Sequence, residues 1–260
     1  MIFPLYDRNP HTRLPIFVIL LIVANLGAFW YSISEDTEQY VRIVYEYGFV
    51  PDRLTHVGDP QPVVVEQDLE DGRRMSAQLS TDPASVYPTL FTMMFLHGGW
   101  LHILSNLWML WVFGDNVEYR LGRVVFVFFY LVCGVLAILT QWAVDPESTR
   151  PVIGASGAVA GVLGAYAVTF PSAKVKTLVF LGFPLLLDLP AALVLGVWFI
   201  LQMVAGVMGL GAPAAVDTSV AFWAHIGGFV AGVILMPLLS ITSEPADQDW
   251  RVESQELFEI

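Results

Sequence analysis

Apolar residues run through this chain in long blocks rather than in the short patches of a soluble domain. Stretches free of Asp, Glu, Lys and Arg cover Leu14–Ser34, Pro83–Gly114, Val124–Val144, Pro151–Ala173, Leu189–Val216 and Thr218–Ser243. A bilayer core about 30 Å thick is crossed by roughly 20 apolar residues of α-helix, so each block has the length of a membrane span. The second block is too long for one straight helix. Gly98-Gly99 divides it into a short surface helix near Tyr87–His97 and a span beginning near Trp100. In the fifth block Pro190 suits a first helical turn. Thr177–Leu187 is apolar but short and is interrupted by Pro184, so it reads as an interfacial segment. The pattern predicts an all-α polytopic membrane protein with six transmembrane helices over residues 14–243.

The ends and loops follow from charge. Pro4, Pro10 and Pro15 precede the first apolar block and no small-residue cleavage site follows it, so it reads as an uncleaved first span. With the N-terminus inside, the cytoplasmic side collects Arg8, Arg13, Arg120, Arg123, Lys174, Lys176 and Arg251, in keeping with the positive-inside bias. Residues 1–13 then form a cytoplasmic segment, residues 244–260 an acidic cytoplasmic tail, and residues 34–83, approximately, an outer-loop insert. Within the insert, Val63-Val64-Val65 and Met75–Leu79 flank Asp71-Gly72 and suggest a small hairpin. No internal repeat of the kind found in secondary transporters is visible.

Composition narrows the classes further. Hydrophobic residues make up 56% of the 260 positions and charged residues only 14%, with a mean hydropathy of +0.64. Soluble domains carry about 25% charged residues. Twelve Lys and Arg against 24 Asp and Glu leave a net charge of −12, which argues against nucleic-acid partners. One cysteine, Cys133, excludes an intramolecular disulfide.

Polar side chains within the spans carry the candidate chemistry, because each is costly in lipid unless it is paired or faces water. The second span holds His102, Ser105 and Asn106, with His97 just ahead of it; the fourth carries Ser156 near its start; the sixth holds His225. These three spans run in the same direction. His102, Ser156 and His225 each fall within about the first two turns, on the order of 10 Å below one surface by helical rise. His102 and Asn106 are spaced i, i+4 and share one helix face. Interhelical hydrogen bonds worth about 1 kcal/mol account equally well for such a pair taken alone. Gly157 and Gly161 in the fourth span, and Gly228 and Gly232 in the sixth, form small-residue stripes that let helices approach closely. Should those two helices be neighbours, His225 comes within reach of the Ser156 hydroxyl and can act as its base.

The motifs Phe95 to Asn106, Gly114 to Glu118 followed by Arg120-Leu121-Gly122, Gly154-Ala155-Ser156-Gly157, and Ala224-His225-Ile226-Gly227-Gly228 resemble those of the rhomboid intramembrane serine proteases. The resemblance implies a six-helix rhomboid-like bundle and a serine-type endopeptidase without cofactor or metal. Ser156 would be the nucleophile, His225 the general base and then acid, and His102, Asn106 and the Ser156 backbone N–H the oxyanion hole. Gly154, Gly157, Gly161, Gly228 and Gly232 would support helix packing. Partners would be the lipid bilayer and single-span membrane proteins, cleaved in or near the outer part of the bilayer at small residues in an easily unwound helix. Many members carry an aromatic residue four positions after the serine, stacked on the catalytic imidazole. Here that position is Ala160, which leaves the orientation of His225 to another side chain, with Trp223 and Tyr166 as candidates.

Other intramembrane chemistries lack their residues. The zinc motif H-E-x-x-H is absent, and Asp188 is the only carboxylate near the middle of an apolar region, so an aspartyl pair cannot form. The rival reading is a catalytically inactive rhomboid-like protein that binds membrane clients, although such relatives usually lack the serine or the histidine. The lack of a eukaryotic-type targeting extension makes a prokaryotic plasma membrane the simplest location, with the active site open to the non-cytoplasmic side.

Overall fold

The computed structural model describes residues 2–9, 13–33, 37–68, 74–180, 182–209 and 221–240. In chain order the elements are strand β1 (Ile2–Asp7), helices α1 (Ile16–Ser32), α2 (Thr37–Tyr47) and α3 (Pro51–Thr55), and strands β2 (Val63–Asp68) and β3 (Arg74–Leu79). Two single turns follow, α4 (Pro83–Val86) and α5 (Thr89–Thr92), with a 3₁₀ turn at Met93–Phe95. The remainder is α6 (Trp100–Leu121), α7 (Arg123–Val144), α8 (Ser156–Thr169), strands β4 (Lys174–Phe180) and β5 (Pro184–Pro190), α9 (Ala191–Gly209) and α10 (Phe222–Ser240). The acidic tail over 244–260 and the Asp71-Gly72 turn lie outside the described residues.

The six apolar blocks correspond to α1, α6, α7, α8, α9 and α10. Among the described residues, α7, α9 and α10 are each long and apolar enough to cross a membrane, while α1 and α8 are apolar but shorter. The bundle is apolar on its outside as well as in its core. Leu20, Val23, Phe128, Val132, Ile200, Val204 and Ile234 all point outward and are exposed. A water-facing surface rarely carries so continuous an apolar belt.

Helix α8 is the axis of the bundle. Every residue from Gly157 to Tyr166 is buried, as expected of a helix that is apolar on all sides. Its small residues are what admit the neighbours. A methyl group placed on Gly228 would run into the Gly157 carbonyl, and one on Gly232 into the Gly161 carbonyl. On the opposite rod, a methyl on Gly164 would meet the backbone of Phe229, and one on Gly161 the side chain of Cys133 in α7. Helices α8 and α10 therefore touch backbone to backbone, and α7 closes the third side. With 14 residues, α8 is only roughly 21 Å long at about 1.5 Å per residue. The expected fourth span, Pro151–Ala173, is thus shortened to Ser156–Thr169. Its first five residues form irregular backbone.

Helix α1 is held by a buried carboxylate. Glu118, 3% exposed, accepts hydrogen bonds from the Phe17 N–H (3.2 Å) and the Val18 N–H (2.8 Å). These are orphan donors of the first helical turn, and an anion there also opposes the helix dipole. The start of α1 and the end of α6 consequently lie at one level, opposite the end that carries Ser156.

The expectation of an all-α protein needs correction, since the described residues include two antiparallel sheets. One has the order β1-β4-β5, with Ile2 opposite Val179 and Lys174 opposite Pro190. It absorbs both the N-terminal segment and the stretch read as interfacial. The reason is legible afterwards: Val175, Thr177 and Val179 are buried in alternation along β4, a period of two that no helix satisfies. Pro4 is accommodated because β1 is an edge strand. The sheet is tied to the bundle by Trp108 Nε1–H donating to the Pro4 carbonyl (2.8 Å), and by Asp7, whose carboxylate accepts from Asn116 Nδ2 (2.9 Å) and the Tyr166 hydroxyl (2.5 Å).

The second sheet is the hairpin β2-β3 of the insert, in register from Val63 opposite Leu79 to Asp68 opposite Arg74. Tyr45, Val50, Val63, Val65, Met75 and Leu79 give the insert its own small core. It also grips the loop ahead of α8. Phe49 and Val152 exchange both backbone hydrogen bonds (3.0 and 2.7 Å), Asp52 N–H donates to Ser148 O (3.0 Å), and the Thr55 hydroxyl donates to Pro146 O (2.7 Å). The insert is a brace for that loop.

The close α8–α10 contact generates a stability prediction. Gly232→Val should lower the thermal unfolding midpoint in detergent by an amount matching an overpacking cost of about 1–3 kcal/mol. Gly27→Val, at a position with no neighbouring atom within 4 Å, should leave the midpoint unchanged. Equal midpoints for both variants would contradict the backbone contact.

Candidate active site

Ser156 is the first residue of α8, His225 the fourth of α10 and His102 the third of α6. The bundle brings the first two into direct contact, with His225 Nε2 at 2.8 Å from Ser156 Oγ. Both side chains are half-buried. The other ring nitrogen, Nδ1, lies 2.7 Å from Gln202 Oε1 on α9. An amide oxygen can only accept, so Nδ1 carries the hydrogen and the Nε2 lone pair faces the serine hydroxyl.

His102 closes the site from α6. The Gly98 N–H donates to His102 Nδ1 (3.3 Å), which puts the imidazole hydrogen on Nε2. That nitrogen overhangs Gly154: a methyl group there would sit 2.7 Å from His102 Nε2 and 3.6 Å from Ser156 Oγ. One small space is thus bordered by an N–H donor and the serine oxygen. Gly154 also has φ +124°, in the region that favours glycine. Its expected role in helix packing is corrected accordingly. It lies in the loop before α8 and clears room for His102, whereas Gly157, Gly161, Gly228 and Gly232 do stand at helix contacts. Asn106, 6% exposed, donates from Nδ2 to the His102 carbonyl (3.0 Å), leaving its second N–H for another acceptor. Ser105 bonds back to the same carbonyl (3.0 Å) and is exposed, an ordinary helix-surface arrangement.

The backbone ahead of Ser156 is fixed from below. Gly154 N–H donates to Met93 O (2.9 Å), and Ala155 N–H to His97 Nε2 (3.4 Å). His97, ahead of α6 and 1% exposed, is pushed down to about 4 by burial and by the neighbouring His102. It is neutral at pH 7 and free to accept. On α10, Gln141 Oε1 of α7 accepts the Ala224 N–H (3.3 Å), satisfying a first-turn donor.

Three of these groups escape the sequence reading: Gln202, Gln141 and the bonding role of His97. Gln202 is the only amide or charged side chain in α9, so the same cost argument applied to the fifth block would have singled it out. The two expected orienting residues stand elsewhere. Tyr166 bonds Asp7 far along α8, and Trp223 packs toward Gly206 of α9. The rings beside the imidazole are Trp198, with centroids 6.0 Å apart, and Phe222, at 6.5 Å.

One group of metal-capable side chains occurs among the described residues, Asp52, His56 and Glu147, with ligand atoms within 4.8 Å of one another. It lies where the insert meets the loop before α8. Within it His56 Nδ1 lies 2.9 Å from Asp52 Oδ1.

Comparison with known proteins points to one family. The Rhomboid domain family matches residues 84–242. The chain is 34% identical over 168 residues to "Rhomboid-like protein 11, chloroplastic" of Arabidopsis thaliana, covering 63% of this chain and 56% of that one. It is 31% identical over 147 residues to "Rhomboid protein 1, mitochondrial" of Saccharomyces cerevisiae, covering 54% and 38%. To "Presenilin-associated rhomboid-like protein A, mitochondrial" of Danio rerio it is 33% identical over 82 residues, covering 31% and 21%. The helical bundle with Ser156 at the head of its central rod belongs to a membrane protein of the rhomboid class, and the chain is a member of the rhomboid family. Its matched part spans about half, or less, of the length of these relatives. The expected prokaryotic plasma-membrane location, with its outward-facing site, does not stand: these relatives are named for the chloroplast and the mitochondrion, membranes of eukaryotic organelles. The start of a sequence is no guide to its compartment.

Acid should test the His97 contact. The unfolded chain protonates this histidine near its ordinary 6.5 and the folded chain only near about 4, so stability is lost as pH falls between those values. The thermal midpoint in detergent should drop from pH 7 to pH 4.5, and drop less in His97→Gln, which keeps an acceptor without a titrating group. Identical pH profiles would contradict the buried neutral imidazole.

Proposed function

We propose that the chain is an intramembrane serine endopeptidase acting through a Ser156–His225 dyad. The observation that carries this reading is the 2.8 Å contact between His225 Nε2 and Ser156 Oγ, within the 2.6–3.2 Å reach a general base needs. The hydroxyl proton passes to Nε2 as Oγ bonds the carbonyl carbon of a substrate peptide. The resulting oxyanion takes hydrogen bonds from His102 Nε2–H, the Ser156 backbone N–H and the free N–H of Asn106. His225 then returns its proton to the leaving amine as the C–N bond breaks, and water, deprotonated by the same imidazole, releases the acyl group.

The fold reading that goes with this has all six long helices crossing the bilayer, with the start of α1 on the face opposite Ser156. The outward apolar belt and the buried Glu118 cap support it. Because α8 is shorter than the bilayer is thick, Ser156 sits below the surface. Substrates would be single-span membrane proteins with small residues at the cut and a helix that unwinds to present its carbonyl.

A fluorophosphonate probe applied to the purified chain in detergent tests the reading. Wild type should be labelled, and Ser156→Ala and His225→Ala should not be, with their folds retained. Asn106→Ala should slow cleavage of a single-span test substrate about 10²- to 10³-fold, mainly through kcat. An unlabelled but folded wild type would indicate an inactive, client-binding relative instead.

A further inference from the structure

Ala160 offers the His225 ring nothing beyond a methyl group, so the ring's orientation must be set by other groups. Besides Phe222 of its own helix, the groups beside the ring come from α9. Along α9, Trp198, Gln202 and Gly206 follow at intervals of four and so share a face. That face meets the Phe222, His225, Ile226 and Phe229 face of α10. Trp198 lies beside His225 and Phe229, with ring centroids at 6.0 and 6.1 Å, and Gly206 lies against Phe222 and Ile226. Gln202 occupies the centre of this contact, and its Oε1 is 2.7 Å from His225 Nδ1.

We propose that Gln202 is the positioning residue of the dyad, an uncharged third member that fixes the tautomer and ring plane of His225 from α9. The role rests on the dyad reading above. Its chemistry is that of any acceptor behind a catalytic imidazole. Holding the hydrogen on Nδ1 leaves the Nε2 lone pair aimed at the serine, and the same acceptor steadies the ring when Nε2 takes the proton. An amide fits this place better than a carboxylate would. A buried unpaired anion is costly in a low-dielectric interior, and the neutral amide imposes the tautomer without a permanent charge. A carbonyl dipole pointed at Nδ1 still favours the imidazolium form in the transition state. Gln202 has no described contact with Ser156 or the space above Gly154, so it acts through His225.

The test compares fluorophosphonate labelling of Ser156 in wild type, Gln202→Met and Gln202→Glu, with Ser156→Ala as the blank and thermal midpoints as the fold control. Met matches the glutamine in length but cannot replace its strong acceptor. Glu keeps an accepting oxygen at the same reach whether or not it is ionised. Gln202→Met should lower the inactivation rate constant about 10²-fold, the scale set by misplacing a reacting group by about 1 Å, with the probe's binding constant unchanged within about twofold. Gln202→Glu should restore the rate to within about tenfold of wild type. Wild-type labelling by folded Gln202→Met would overturn the proposal and leave the dyad standing. So would equal losses in Met and Glu variants, or a loss confined to probe binding. An unlabelled wild type would overturn the dyad itself, and the proposal with it.

Discussion

The contact that everything else depends on is the one between the backbones of α8 and α10. A hydroxyl and an imidazole on separate rods reach hydrogen-bond distance only when the rods themselves nearly touch. Gly157, Gly161 and Gly164 on one helix, and Gly228 and Gly232 on the other, remove the side chains that ordinarily keep helices 8–10 Å apart. The gain is positional. In lipid, apolar side chains have no water to escape, so helices associate through packing and hydrogen bonds. Glycine pairs provide close packing and bring Ser156 and His225 together at the same end.

The remaining polar groups are spent on holding that end still. The loop ahead of Ser156 is irregular backbone, which a bilayer tolerates only with every donor satisfied. Here the acceptors are the Met93 carbonyl, His97 and the edge of the insert at Phe49. At the far end, Glu118 caps α1, and Asp7 gathers Asn116 and Tyr166 under the β1-β4-β5 sheet. The two ends therefore differ in kind. One is a polar anchor; the other is an ordered polar cluster around Ser156 and His225.

Much of this was legible in the sequence, and the reasons are specific. Six apolar blocks without charges translate directly into helices, because the bilayer length is a hard constraint. The residues of the candidate site stand out in the sequence because His102, Asn106, Ser156 and His225 are polar side chains within apolar blocks. The sheet was not, since the Thr177–Leu187 stretch is apolar overall and its period of two was masked by exposed Leu186 and Leu187 alternating with little contrast. Gln202 has a weaker signal, because an amide orients a reacting group without itself reacting. Gly154 was grouped with packing glycines because a G-x-S-G string does not reveal backbone dihedrals; its positive φ and its place beneath His102 are properties of the folded loop.

Ser156 reactivity as a function of the α8–α10 spacing is the direct measure of what this backbone contact does. The readout is the fluorophosphonate labelling rate per folded molecule across Gly228→Ala, Gly228→Val and Gly228→Leu, against the same series at Gly27. A stepwise fall with each larger side chain at position 228 and a flat response at position 27 are expected. Undiminished labelling in a folded Gly228→Leu protein would contradict that role of the contact.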